Sequence, residues 1–538
     1  MIPQQEESEV PVSLSLSPYT GDWTKLEAGH LLRRTLFGPT FQQIQDAIAA
    51  GMEATVDQLL ILPATDPPLV VSPDEAIAAY GDSWIASPLP PNNPGPTENA
   101  RRESLAGWTL ERLNREGLSI QEKICLFWNN HFGVEGTFDA RAIYNLHELI
   151  RSNCLGNFRQ LVKDVTIDPN MLVFLNGASN NQFSPNENYS RELLELFTVG
   201  KGLQVGEGDY STFTEADVAA GARILTGWTV DGLGSDTMTS PVSVFYPVLH
   251  DDGTKVLSSY FGNASISNTG DEEYANYINV IFQQPGMAKF ICRKLYRWFV
   301  NYDLTAVVEN TIISDMAATL EANDFEILPV LRELLKSEHF YDVSLRGTII
   351  KNPLEYFFSM LNTTGTVPTF DLTTNYQVYL NAYNFSIVLG MDYYRPPSVG
   401  GWTSYYQAPS YTRLWANSSF LKLRFDLSAY ITIYGGYPVG SEHFKIDALT
   451  FVNGLSVPGS AVAVINDTAD VFCPKGLSTA EKLTLKYILT NGLPDFEWSD
   501  QYAEYLSHPN DVTYSDPIRQ RMEFVLARLF SMPEFQTI

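Results

Sequence analysis

The sequence predicts a mainly α protein: a large multi-helix domain with a small β-hairpin and a long irregular, aromatic-rich region. Three observations lead there. Helix start signals recur along the chain, apolar residues follow them at i, i+3, i+4 and i+7, and one stretch of about 110 residues lacks that period.

Taken in order, residues 1–21 read as an N-terminal tail and 22–538 as a single large helical domain. Thr40 with Gln43 precedes FQQIQDAIAA and Gly51, which predicts a helix with a capping box at one end and a terminating glycine at the other. Residues 62–97 are proline-rich, ending SPLPPNNPGP, and read as a surface excursion. Ser119 with Glu122 predicts a second capping box, opening IQEKICLFWNNHF. Thr214 opens TEADVAAGARILTGW, and Ser478 with Glu481 opens STAEKLTLKYIL. Two β-prone runs around Asp252-Gly253 predict a hairpin over about 241–262. Helical periodicity returns in GMAKFICRKLYRWFV and FEILPVLRELLKSEHF. It dissolves over about 366–476, then closes the chain in C-terminal helices over 477–538.

Composition narrows the partners. Hydrophobic residues are 44% and charged residues 18%, which argues for a sizeable core and against wholesale disorder. The 35 Lys+Arg against 62 Asp+Glu give a formal charge of -27, a surface that repels phosphate backbones, so nucleic acid is excluded as a partner and another protein or a neutral glycan is favoured. No stretch approaches the roughly 18 consecutive apolar residues of a membrane-crossing helix, so the chain is not read as an integral membrane protein. The first residues lack a basic segment followed by an apolar run, so no signal peptide is read in them. Cys125, Cys154, Cys292 and Cys473 are widely spaced and form neither a CxxC pair nor a disulfide framework.

Chemistry-bearing residues concentrate in a few places. Ile124, Phe127, Trp128 and His131 share one helical stripe, as do Ile143, Leu146, His147 and Ile150, so both histidines point toward the core. In SPNENYSRELLELFTVG, Tyr189, Leu193, Leu196 and Phe197 form an apolar face, while Asn188, Arg191, Glu192 and Glu195 form a polar stripe beside it. Two carboxylates one turn apart raise each other's pKa unless a cation lies near. That cation is either a divalent metal held by Glu192, Glu195, His131 and His147, or an arginine: Arg191, or the basic ridge Lys289, Arg293, Arg297. No Glu-x-x-His pair of the di-metal bundles occurs, so structural ion pairs through Arg191, Arg293 and Arg297 are the preferred reading. His250, Asp251 and Asp252 form a weaker metal candidate, because an Asp-Gly turn already explains two of them. Signatures of the common hydrolases, metalloproteases and nucleotide-binding proteins are missing from the sequence. Tyr394, Trp402, Tyr405, Tyr406 and Trp415 are candidates for a glycan- or protein-binding surface, with RPPSVGGW read as a tight loop presenting Trp402.

Several of these stretches recur together. HLLRRTLFGPT, EKICLFWNNHFG, LGNFRQLVKDVTIDPNMLVFLNG, NENYSRELLELFTVG, TEADVAAGARILTGW, HDDGTK, CRKLYRWFV and PPSVGGWTS occur in that order between about residues 27 and 415. Together they resemble the bacterial family catalogued as domain of unknown function 1800. The resemblance carries over no established activity, and the cofactor stays unknown, a divalent metal being the candidate. The resemblance implies export to the periplasm or cell surface, and a partner resembling alkaline phosphatases and sulfatases, because such genes often adjoin those of the family. Asn129 stands where many relatives carry a further histidine, which weakens a multi-histidine metal site. Three readings of function remain: an exported scaffold or partner protein, a metal-dependent enzyme of unfamiliar type, and a glycan-binding surface module.

Overall fold

Local signals set most helix starts. The Thr40 hydroxyl accepts from the Gln43 amide while the Gln43 side chain returns to the Thr40 amide, and the helix Phe41–Ala50 ends at Gly51. Reciprocal boxes of the same kind open Lys25–Thr35, Glu215–Ile224, Pro353–Thr363 and Thr479–Thr490. The computed structural model describes residues 13–538, and among them are 23 α-helices and three two-stranded antiparallel sheets. Buried apolar side chains from nearly every helix join one continuous cluster that runs from Leu16 to Phe535. Among the described residues no helix is long and apolar enough to cross a membrane.

Four expectations change. Of the tail read over 1–21, residues 1–12 lie outside the described residues. Residues 15–19 are docked instead: the Tyr19 amide donates to Lys336 O at 2.8 Å, and Ser17 O accepts from the Glu338 amide at 2.9 Å. The helix Gln121–Phe132 lacks the capping box predicted from Ser119 and Glu122. Ser119 Oγ accepts from the Gln121 amide, but the Glu122 carboxylate turns inward to Arg151. The 241–262 hairpin does not form as one unit. Val242–Phe245 pairs backward with Trp228–Asp231, and Lys255–Val256 pairs forward with Ser265–Ile266. Finally, the 366–476 stretch holds the helices Leu372–Val388, Ser418–Thr432, Ala448–Asn453 and Ala461–Phe472, so irregular backbone narrows to about 389–417. Leu372–Val388 lies against Gly95–Arg115, and that packing holds a helix whose own apolar stripe is blurred by Thr, Asn and Gln.

Charges are buried in pairs within this frame. Arg151 donates to both oxygens of Glu122 at 3.0 and 2.8 Å, Arg141 pairs with Asp139 at 2.7 Å, Arg101 with Glu75 at 2.7 Å, and Lys255 with Glu273 at 2.6 Å. Both side chains of each pair are almost fully withdrawn from solvent. A buried ion is tolerated only where its partner and hydrogen bonds replace the water it loses.

Candidate functional site

The motif that begins at Asn188 is not a regular helix. Asn188–Glu192 is α-helical, but Leu193–Phe197 widens into a π turn, stabilised where Thr198 Oγ1 donates to Leu193 O at 2.5 Å and the Gly200 amide donates to Leu194 O at 2.9 Å. Single π turns are often found at functional sites. This one changes the predicted face: Leu194 is fully buried with Tyr189, Leu193 and Phe197, whereas Leu196 moves out to line a cleft. It also leaves two carbonyls free for side chains. Leu196 O accepts from Lys294 Nζ at 3.0 Å, and Phe197 O accepts from His131 Nε2 at 3.1 Å.

The cleft encloses about 520 Å³. One wall carries Glu192, Glu195 and Leu196; the facing helix Met287–Phe299 supplies Phe290, Arg293, Lys294, Arg297 and Trp298. Its floor is Phe127 and Asn130 of Gln121–Phe132, and its rim is Ser398, Val399, Gly400, Tyr405 and Tyr406. Two glycines let the rim loop lie flat on the floor helix. Gly133 (φ 51°) meets the Val399 carbonyl and Gly401 (φ 85°) meets the Asn130 carbonyl so closely that a Cβ at either would overlap backbone oxygen. Asn130 Oδ1 then accepts from the Trp402 amide at 2.9 Å.

Lys294 is the residue that periodicity left unremarked. It stands on the stripe Met287, Ile291, Lys294, Trp298, at i, i+4, i+7 and i+11, so a lysine in an otherwise apolar seam was the available signal. Nζ reaches Leu196 O and also His131 Nδ1 at 3.1 Å. Because a carbonyl can only accept, His131 donates from Nε2 to Phe197 and must present an unprotonated Nδ1 to Lys294. Burial, then the charge of Lys294, holds His131 well below the usual imidazole range. Burial, then Arg297, brings the Lys294 amine down to about 7. Across the cleft, burial followed by Glu195 raises the Glu192 carboxyl above its ordinary value.

The remaining predicted residues fall in several places. His147 is not with His131. It lies against Tyr393 and Tyr394, with ring centroids 5.6 and 4.8 Å away, and is pushed down to about 3 by burial and by Arg151. The expected convergence of two histidines on the acidic stripe therefore does not occur. Arg191 turns away from Glu192 and pairs with Glu215 at 2.7 Å and Glu187 at 3.1 Å, both partly exposed. Glu195 pairs with Lys201 at 2.8 Å, Arg293 with Glu309 at 2.6 Å, and Lys289 donates to Ser314 Oγ at 2.9 Å. Arg297 has no carboxylate among its hydrogen-bond or ion-pair partners in the described residues; its guanidinium lies 5.3 Å from the Tyr411 ring centre and its Nε is buried without an acceptor.

The metal candidates are otherwise engaged. Among the described residues no group of three or more His, Cys, Asp or Glu side chains is placed to hold a metal ion. His250 Nε2 lies 3.0 Å from the Glu273 carboxylate and Nδ1 lies 2.8 Å from Thr226 O, while Asp251 pairs with Arg223 at 2.6 Å. Asn129, at the position of the missing histidine, donates to Tyr393 O at 2.6 Å. The aromatic surface is corrected too. Trp402 is 1% exposed, and Trp415 and Tyr394 are also buried, because the loop that carries Trp402 folds its ring inward once Asn130 captures the backbone. Tyr405 is half-buried against Trp298, centroids 4.3 Å apart, and Tyr406 remains 48% exposed at the cleft mouth. All four cysteines are free and buried.

No curated protein and no solved structure is significantly similar to the chain. The model of the family described as Protein of unknown function (DUF1800) matches residues 30–537, and with nearly its whole length covered the chain belongs to that family.

Proposed function

We propose that the cleft between the Asn188–Phe197 motif and the helix Met287–Phe299 is a ligand site, and that the chain acts there as an enzyme on a small polar molecule with an anionic end. One observation carries the reading: Arg297 and Lys294 stand in a 520 Å³ cleft with no carboxylate partner among the described residues, opposite the half-buried Glu192. Such a volume falls within the range of small-molecule sites. A half-buried guanidinium whose Nε is buried without an acceptor is poorly compensated, and an anionic group of a ligand would supply the missing partner. An amine brought down to about 7 facing a carboxyl raised above its ordinary value is the arrangement of an acid–base pair. The test is a thermal-shift panel of phosphate, sulfate, acetate, pyruvate and citrate on the wild-type chain and on Arg297→Gln. Stabilisation of the wild type by at least one anion, reduced in the variant, is expected; equal response of both chains to every anion would overturn the reading.

A second reading, an exported partner of a phosphatase- or sulfatase-like protein, draws support from a separate surface. Phe183 and Val248 are 80% and 71% exposed on adjoining turns joined by the Gln182 amide donating to Leu249 O at 2.8 Å. Exposed apolar side chains on hydrogen-bonded turns suit a protein contact. Phe183→Asp with Val248→Asp should abolish co-purification with the co-expressed neighbour, and unchanged co-purification would remove this reading.

A further inference from the structure

Resting on the reading of the cleft as a ligand site, we propose that Lys294 is a carbonyl-reactive amine that forms an imine with a small oxo acid, the acid's carboxylate being met by Arg297. The hydrogen-bond geometry points to this chemistry rather than to simple charge pairing. Leu196 O at 3.0 Å accepts one N–H, and His131 Nδ1 at 3.1 Å, unprotonated because Nε2 donates to Phe197 O, accepts a second. A neutral amine has two N–H bonds and one lone pair. With both N–H groups committed to protein acceptors, the lone pair is what remains for the cleft. The charged groups around the amine favour that neutral form. Arg297 lies one turn along its own helix while Arg293 is taken up by Glu309, neutral His131 faces the amine from Gln121–Phe132, and the carboxylates of the motif wall are drawn elsewhere or desolvated: Glu195 goes to Lys201, and Glu192 has no cation within ion-pair distance among the described residues. The phenols of Tyr405 and Tyr406 complete the rim.

The step balances without an oxidant or reductant. The lone pair forms the C–N bond while the carbonyl π pair passes to oxygen, and one amine proton moves to that oxygen to give a carbinolamine. The Glu192 carboxylic acid protonates the hydroxyl, the nitrogen lone pair expels it as water, and an iminium forms. Transfer of the remaining N–H proton to the Glu192 carboxylate regenerates the acid and leaves the imine. One amine and one carbonyl give one imine and one water. A desolvated lysine set beside another cation is an established form of this nucleophile.

Reductive trapping of the full chain tests the proposal. Glyoxylate with cyanoborohydride converts an imine to a stable carboxymethyl amine that peptide mass spectrometry locates. Lys422, three-quarters exposed, serves as the internal reference. At pH 7 an amine near 7 is about half free base, whereas an ordinary lysine is so to about one part in 2,500. Even with its lower intrinsic nucleophilicity, Lys294 should be labelled at least about tenfold faster than Lys422, with a rate that rises through pH 7 and then levels. Labelling no faster than Lys422 at any pH would overturn the proposal, whatever the anion panel shows. Formaldehyde, which lacks a carboxylate, separates the two ideas. Preferential Lys294 labelling by formaldehyde but not by glyoxylate would keep the amine chemistry and refute the oxo-acid ligand.

Discussion

Glu122 is the carboxylate on which the interior charge arrangement depends most, and Glu122→Ala measures it. The substitution removes both bonds to Arg151, at 3.0 and 2.8 Å, and the longer approach of Arg112 Nε at 3.8 Å. Arg151 would stay buried over the Trp108 ring, 4.9 Å from its centre, with Glu148 at 3.6 Å as its remaining anion. Stranding one member of a buried pair costs about 3–5 kcal/mol. Because Glu148 is only partly exposed and can draw closer, the lower end, about 3 kcal/mol, is expected. One effect opposes the loss. Glu116, raised well above the carboxylate range by burial and then by Glu122, is relieved of that neighbour's charge and ionises more easily near Arg151. The assay is urea unfolding, read as a lowered midpoint at unchanged slope. Glu122→Met combined with Arg151→Met should recover most of the loss, since an apolar pair of similar volume replaces a buried ion pair at little cost. A loss below about 1 kcal/mol for Glu122→Ala, the size of an exposed pair, would refute the burial argument.

Gly401→Ala, at φ 85° against the Asn130 carbonyl, should cost about 1–3 kcal/mol in backbone strain and free the cleft rim. Faster limited proteolysis within 395–410 at unchanged cleavage elsewhere is the readout. The four thiols should be unreactive toward a disulfide reagent in the folded chain and titrate as four per chain in denaturant, because all are buried and burial raises Cys292 and Cys473 above the usual thiol range.

What the sequence reveals here divides by range. Capping boxes such as Thr40/Gln43 and Ser478/Glu481 need only residues three apart, and they form as read. Ser119/Glu122 fits the same pattern but fails, because Arg151, 29 positions away, competes for the carboxylate. The hairpin fails for a similar reason: its central Asp251 is held by Arg223 and its His250 by Glu273, so the two β-prone runs find other partners. At the candidate site, the acidic stripe and basic ridge do face each other across a cleft, but not as pairs. RELLELF reads as continuous 3.6-residue helix, and nothing in its periodicity discloses the extra residue that turns Leu194 inward and Leu196 outward. That same widened turn positions the two carbonyls that hold Lys294 and His131, so the feature hidden from the sequence is the one that builds a wall of the cleft.

Glu192 distinguishes a structural from a chemical role for the motif, and pH is the instrument. If Glu192 were ion-paired in the interior, its carboxyl would be depressed in the fold and its contribution to stability would appear as pH rises. The structure instead gives it no cation at ion-pair distance among the described residues, with Arg191 turned to Glu187 and Glu215, and burial and Glu195 raise it. A carboxyl raised in the folded state binds its proton more tightly there than when unfolded. Its contribution is therefore fully present below the ordinary carboxylate value of about 4.3 and is lost as pH rises through the folded value. Glu192→Gln keeps the neutral shape without the titration. The variant should match the wild type near pH 4, become relatively more stable as pH rises, and hold that advantage above the window. Unfolding curves at pH 4, 5, 6, 7 and 8 give the difference directly. A difference of opposite slope, with the wild type gaining on the variant as pH rises, would mean that Glu192 is held as an anion by a partner, and the cleft would then be an ion-paired seam rather than a site awaiting a ligand.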